Sequence, residues 1–201
     1  MYKLLGNLKK GLLFVISAPA GTGKTTLAQM LCKEFPCVVE SISYTTRPMR
    51  GDEKEGEHYH FVSEKEFEKR KKEGDFLECA SFLGNHYGTS RSQVEGLQKK
   101  GKHILLVIDT QGAQQLRGKV QATSIFISPP NLDELKQRLM RRRTESPEAI
   151  ARRLEWAQEE MKSRSLYDYH IVNDNLEIAY GVLRSILIAE EHKETHERTT
   201  H

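Results

Sequence analysis

Residues 12–26 read LLFVISAPAGTGKTT, and no other stretch constrains the chain as strongly. An apolar run from Leu12 to Ile16 stops in a loop of small residues, the loop ends in Gly23-Lys24-Thr25, and a helical pattern follows. A short buried strand that feeds such a loop and then a helix belongs in an α/β core. Successive loop N–H groups and the positive end of the helix dipole there form a cradle for phosphate. Lys24 is spaced to reach the β- and γ-phosphates of a nucleotide, and the Thr25 hydroxyl to ligate Mg²⁺. The common spacing opens on glycine; this loop opens on Ala18, the smallest replacement.

The same residues permit a rival reading. Lys3, Lys9 and Lys10 precede the apolar run, and Ala18-Pro19-Ala20 has the outline of a signal-peptide cleavage site. Cleavage would cut the phosphate loop in two, and the run is short for a signal core, so the buried strand is preferred. No other segment approaches the ~20 apolar residues of a spanning helix. At 201 residues the chain is expected to form one domain with room for inserted lobes. A net charge of +3 does not point to nucleic acid. The three cysteines (Cys32, Cys37, Cys79) lack C-x-x-C spacing and read as reduced thiols of a cytoplasmic protein. The histidines, including His58, His60, His192, His196 and His201, have no metal-ligand spacing.

Apolar runs at Leu12–Ile16, His103–Ile108, Ile125–Ile127 and His170–Val172 are predicted strands. Amphipathic stretches at Thr26–Glu34, Thr110–Leu116, Leu132–Met140, Pro147–Met161 and Leu176–Glu190 are predicted helices. Such alternation predicts a parallel sheet flanked by helices on both faces. Asn131 is placed to cap one helix, and Ser146-Pro147 to open another. Residues 38–90 break the alternation with aromatic, glycine-punctuated segments around a helix at about Glu64–Glu73, and predict a small β-rich inserted lobe. Residues about 136–155, dense in arginine, form a candidate lid. The core is expected at about 11–37, 91–135 and 156–191, with a polar tail at 192–201.

Within the lobe, Ser43-Tyr44-Thr45-Thr46-Arg47-Pro48-Met49-Arg50-Gly51 sets two arginines three apart. Arginine suits bidentate phosphate contacts, and the Tyr59 and Tyr87 hydroxyls could serve the same phosphate. Alone, these residues fit a solvated loop and packed tyrosines at least as well; with a phosphate loop upstream, a second phosphate site is the better reading. Asp109 ends an apolar strand, where open α/β sheets place ligand residues.

Ala18–Thr26, Ser43–Arg50, Gly56-Glu57-His58-Tyr59, Phe76-Leu77-Glu78, Gly84–Thr89, Ile108–Ala113 and Ile171–Asp174, in that order over about Leu12 to Glu191, resemble guanylate kinase. The phosphate loop is shared with many nucleotide hydrolases; the ordered remainder is far more specific. The resemblance implies a P-loop kinase core with a GMP-binding lobe and an Arg-rich lid. It also implies Mg²⁺-dependent transfer of the γ-phosphoryl of ATP to GMP or dGMP. It places ATP on Ala18, Pro19, Ala20, Gly21, Thr22, Gly23, Lys24, Thr25 and Thr26, with Arg138 and Asn173 and with Mg²⁺ on Thr25. It gives the GMP phosphate to Arg47, Arg50, Tyr59 and Tyr87, and the guanine to Ser43, Glu78 and Thr89, with Asp109 beside them. Lys24, Arg47, Arg138, Arg142 and Arg153 are the expected catalytic charges.

Guanine presents N1–H and N2–H₂ as adjacent donors, which one carboxylate accepts side by side, so Glu78 suits that role; adenine would meet it with a lone pair. The chain departs from the family pattern at Val107, where the common Leu-Asp-Ile-Asp run has its first acid, and at Arg143, often glycine. Glu53 matches another acidic position near the phosphates that could share the load. The protein is expected to be a cytoplasmic monomer or homodimer with nucleotide substrates and no nucleic acid or membrane partner. The competing readings are another P-loop small-molecule kinase, a non-catalytic guanylate-kinase-like phosphopeptide-binding module, and a signalling NTPase. The intact Gly-Lys-Thr anchor argues against the binding module.

Overall fold

The computed structural model describes residues 3–82, 84–141 and 146–194. In chain order, the first half contains β1 (Leu13–Ser17), α1 (Lys24–Glu34), β2 (Val38–Glu40), β3 (Tyr44–Thr45), β4 (His60–Phe61), α2 (Glu64–Lys72), β5 (Phe76–Phe82), β6 (Asn85–Ser90) and α3 (Arg91–Gln98). The second contains β7 (His103–Ile108), α4 (Thr110–Leu116), β8 (Thr123–Ser128), α5 (Leu132–Arg141), α6 (Pro147–Lys162), β9 (Tyr169–Val172) and α7 (Leu176–Glu191).

A five-stranded parallel sheet runs in the order β2-β7-β1-β8-β9. All of β1 is buried, as expected for a central strand covered on both faces. Its pleat divides the core. Phe14 and Ile16 pack with Leu27 and Leu31 of α1 and Leu183 and Leu187 of α7. Leu13 and Val15 pack on the other face with Val94 of α3 and Leu116 of α4. A third cluster, Leu135 and Leu139 with Ile150 and Ala157, joins α5 to α6.

The smaller sheet, in the order β4-β3-β6-β5, has β3 parallel to β4 and antiparallel to β6, which pairs in turn with β5. The expected α/β core with a β-rich lobe is present. Two elements escaped the sequence reading. β2, only three residues long, is an edge strand of the core sheet, so the lobe's own sheet starts at Tyr44 and not at 38. α3 is a core helix in which Val94 is the buried residue. Two predicted caps are in place: Asn131 Oδ1 accepts from Glu134 N–H at 2.8 Å, and Ser146 Oγ from Ala149 N–H at 3.3 Å.

The two ends of the described chain are tied together beneath the sheet. Glu191, fully buried at the end of α7, accepts from Gly6 N–H at 2.7 Å, Asn7 N–H at 3.0 Å, Asn7 Nδ2 at 2.6 Å and His103 Nε2 at 2.6 Å. His103 Nδ1 accepts from Leu12 N–H at 3.1 Å, which leaves Nε2–H to face the carboxylate. Burial would raise the Glu191 carboxyl, but the bonds from His103, Gly6 and Asn7 outweigh it and hold the group at about 2.

Candidate active site

The phosphate loop turns over the C-terminal end of β1. Gly23 stands at the start of α1 with φ of 92° and no side chain capping the helix, so the first turn carries no internal substitute for an anion. A Cβ at Gly23 would lie 2.6 Å from Asn173 Nδ2. That closeness serves the loop: Asn173, buried after β9, donates from Nδ2 to the Thr22 carbonyl at 2.7 Å, while Thr22 Oγ1 donates to the Pro19 carbonyl at 2.8 Å. Asn173, which the resemblance gives to the ATP site, thus also supports the loop. Its own carbonyl accepts from Arg138 Nη1 at 2.9 Å, and Arg138 Nε pairs with Glu134 at 3.0 Å.

Lys24 extends from the first turn of α1 into a cavity of about 690 Å³. Its ammonium lies 3.4 Å from the Ala18 carbonyl. Burial lowers its pKa, against the attraction of Glu160, Asp109 and Glu40. Thr25 and Thr26 are exposed on the same turn.

The lobe supplies the opposite wall. Glu78 on β5 is 5 % exposed, and Thr89 Oγ1 across the β5–β6 pair donates to its Oε1 at 2.6 Å. Its Oε2 lies so near Gly112 that a Cβ there would come within 2.6 Å. Burial, reinforced by the charge of Asp109 and opposed by the Thr89 bond, raises the Glu78 carboxyl to about 7. Asp109 Oδ1 caps α4 by accepting from Gly112 N–H at 2.8 Å. Ser43, Tyr59 and Tyr87 also line the cavity, the tyrosine rings meeting edge-on at 5.9 Å. Behind them Arg47 is 6 % exposed and forms a bidentate pair with Glu53, Nη2 to Oε1 at 2.8 Å and Nη1 to Oε2 at 2.9 Å. Its guanidinium lies 5.3 Å from the Tyr59 ring centre. Glu53 also accepts from Arg50 N–H at 2.8 Å. It is therefore committed to the arginine turn. The Arg50 side chain is exposed and does not line the cavity.

The third wall is α6, whose Arg153, Trp156, Glu159 and Glu160 line the cavity, with Ser163 just past its C-terminal end. Arg142 and Arg143 lie outside the described residues. Val107 packs at the edge of the core cluster that holds α1 and α7, and it lines the cavity where the family pattern has an acid. The sequence reading missed Glu160, the carboxylate with the largest attraction on Lys24. Burial raises Glu160 to about 7, with Lys24 opposing and Asp109 adding to the rise, and Thr110 Oγ1 reaches it at 3.5 Å. Glu159 and Glu160 both line the cavity, and the sequence of a polar-looking helix gives no signal that Glu160 is the one partly buried against Thr110.

The arrangement is a cleft with a glycine-rich loop and an ammonium at one end, a buried carboxylate at the other, and arginines behind and above. Among the described residues no group of three or more His, Cys, Asp or Glu could hold a metal by itself, and no helix is long and apolar enough to cross a membrane.

Comparison with known proteins agrees with this geometry. The family profile described as guanylate kinase matches residues 10–190. A guanylate kinase of Protochlamydia amoebophila is 55 % identical over 94 % of this chain and 95 % of its own. That of Chlamydia felis is 48 % identical over 90 % of this chain and 89 % of its own. The crystal structure of guanylate kinase from Anaplasma phagocytophilum superimposes with a TM-score of 0.78 at 35 % identity, covering 95 % of this chain and 92 % of that one.

Proposed function

The chain belongs to the guanylate kinase family, and we propose on that premise how its residues divide the work of phosphoryl transfer. The reaction is ATP:GMP phosphotransfer, in which the γ-phosphoryl of ATP passes to a phosphate oxygen of GMP to give ADP and GDP. The observation that carries the residue assignment is the placement of Glu78 and Lys24 on opposite walls of one cavity.

ATP lies in the loop from Ala18 to Thr26, its phosphates wrapped by backbone N–H groups and met by Lys24. GMP enters with guanine N1–H and N2–H₂ on the Glu78 carboxylate, beside Ser43, Thr89 and Asp109. Its phosphate takes the Tyr59 and Tyr87 hydroxyls and the donors of Arg47 and Arg50; Glu53 holds the Arg47 fork in one plane for that contact. Arg153 from α6, Arg138 after release from Glu134, and Arg142 neutralise charge spreading over the transferring group. Two walls closing on the nucleotides exclude water, so that GMP rather than water accepts the phosphoryl.

Thr25 offers an exposed hard oxygen on the first turn of α1, with no cluster of three or more carboxylates around it among the described residues, a donor set that suits Mg²⁺ held mainly by phosphates and water. The ion would supply charge neutralisation at the bridging phosphate oxygens. We place the enzyme in the cytoplasm as a monomer or homodimer that acts on small nucleotides, dGMP among them, and on neither nucleic acid nor membrane. The test is ADP formation from Mg·ATP with GMP, dGMP, AMP, CMP and UMP as acceptors. Strong turnover with the guanine nucleotides alone is expected; equal turnover with AMP would overturn the role of Glu78.

A further inference from the structure

Two walls of the cavity rise from α4. On one side β5 is tied to it: Gln115 Nε2 donates to the Cys79 carbonyl at 2.6 Å, and Gln115 Oε1 accepts from Cys79 N–H at 3.1 Å. On the other side α6 is tied to it through Thr110 to Glu160 at 3.5 Å and Gln114 Nε2 to Ser163 Oγ at 3.4 Å. Along β5 the cavity is lined by Glu78, Ala80 and Phe82, every second residue of one strand face, and also by Ser81. Along α6 the lining residues are Glu160, Trp156 and Arg153, one helical face read upward from α4, with Glu159 beside Glu160. At the top the walls meet, with the rings of Phe82 and Trp156 edge-on and their centres 4.8 Å apart. Strand, aromatic pair and helix make an arch, with α4 as its footing and the guanine-reading carboxylate beneath.

Nothing in the fold otherwise requires this contact. Trp156 is 42 % exposed, whereas the third apolar cluster holds α6 to α5 through Ile150 and Ala157 on the other side of the helix. We propose that Phe82 and Trp156 are positioning residues for the phosphotransfer. Their contact registers the lid helix, with Arg153 and Glu160, against the strand that carries Glu78, and closes the acceptor side of the cleft to water. Neither ring touches the reacting atoms. The pair acts by favouring the arrangement in which Arg153 on one wall and GMP on the other are held together. Without it the lid stands off more of the time, and water replaces GMP as acceptor in a fraction of turnovers, releasing inorganic phosphate with ADP.

The inference rests on the guanylate kinase reading, and the experiment separates the two. The full-length enzyme is compared with Phe82→Ala, Trp156→Gln and the conservative Trp156→Phe, with ADP, GDP and inorganic phosphate measured in one reaction. An edge-on aromatic pair is expected to give kcat about twofold to tenfold lower in Phe82→Ala and Trp156→Gln, with a smaller change in KM for GMP. The ratio of ADP to GDP should rise above unity in both and return towards it in Trp156→Phe. Trp156 is the chain's only tryptophan, so Phe82→Ala should also alter intrinsic emission in the free enzyme and its response to GMP. Wild-type enzyme that makes no GDP would overturn the functional reading. Wild-type enzyme that makes GDP, while folded Trp156→Gln keeps kcat and an ADP-to-GDP ratio of unity, would overturn this one. If Phe82→Ala fails to fold, Trp156→Gln decides alone, because its ring is half in solvent.

Discussion

On the proposed assignment, the donor end and the acceptor lobe bind the same chemical group, phosphate, by opposite means. At the donor end the cradle is backbone, held in shape by backbone-directed bonds from Thr22 and Asn173 and by the left-handed turn at Gly23. The backbone donors of the loop are aimed before a triphosphate arrives, and only the Lys24 and Arg138 side chains must leave present partners. In the lobe the binding groups are side chains that hold one another: Arg47 with Glu53, and Glu78 with Thr89. A backbone cradle is fixed at folding and tolerates nearly any side chain that fits. A side-chain site discriminates between bases, yet each of its charges depends on a neighbour. Affinity for phosphate is therefore built into the core, and the choice of base into the lobe.

Breaking the donor end should cost most. Lys24→Ala removes the one side-chain charge of the cradle and should lower kcat by a factor on the order of 10³–10⁵, the scale of losing a cation that acts on a transferring phosphoryl. The cradle itself should survive, since its bonds run through Thr22 and Asn173, and thermal unfolding should be little changed. Turnover near wild type would mean that the loop binds something other than the reacting phosphates.

In the lobe, Glu78→Gln replaces two acceptors with one and sets an amide donor against guanine's own donors. The loss in kcat/KM for GMP should be on the order of 10²–10⁴, with the KM for ATP nearly unchanged. An equal loss for both nucleotides would erase the division between the two ends.

Glu53→Gln probes the dependence of one lobe charge on another. Arg47 keeps its charge but loses half of a bidentate anchor, and GMP binding should weaken by about tenfold with kcat less affected. Tighter GMP binding would show Glu53 to be a competitor of the phosphate instead of a support.

The smallest effect is that of pH. Burial raises the Glu78 carboxyl to about 7, and on the proposed assignment guanine is read by its ionised form. GMP binding must therefore expel a proton below that value: affinity should rise with pH between about 6 and 8 and then level, with a slope of at most tenfold per pH unit. The second ionisation of the GMP phosphate, near pH 6, adds its own rise. Glu160, also at about 7, faces the cavity from α6. Glu78→Gln should abolish only the portion that belongs to the guanine site; a pH profile unchanged in that variant would assign the titration to Glu160.

How much of this was legible in the sequence follows the same division. The donor end is written in consecutive residues, because a backbone cradle needs a contiguous stretch, and strand, loop and helix all stand where the pattern put them. The acceptor-side groups are spread from Ser43 to Thr89 in the lobe and on to Asp109 in the core, and only their likeness to a family in the right order linked them; spacing alone left Arg47 and Arg50 open to a surface reading. β2 was too short to give a period, and α3 buries one valine behind a run of polar residues and a glycine. Glu160 and the second duty of Asn173 depend on which side of a helix or loop faces inward, a property set by packing between distant segments. The Phe82–Trp156 contact joins residues from two walls that share no local signal.

The knot of Gly6, Asn7, His103 and Glu191 sets a timetable. A ribosome releases β1 early, yet β1 lies in the middle of the sheet, and the histidine that receives the Leu12 amide comes some ninety residues later. The carboxylate that receives that histidine is on the last turn of α7. Until Glu191 has left the exit tunnel, Asn7 and His103 have no buried anion to face, and the apolar face awaiting α7 stays open to solvent. Synthesis can prepare the pieces of this core in order, but the core is finished only when α7 arrives, so the apolar face of the sheet that α7 covers stays open from the emergence of β1 until then.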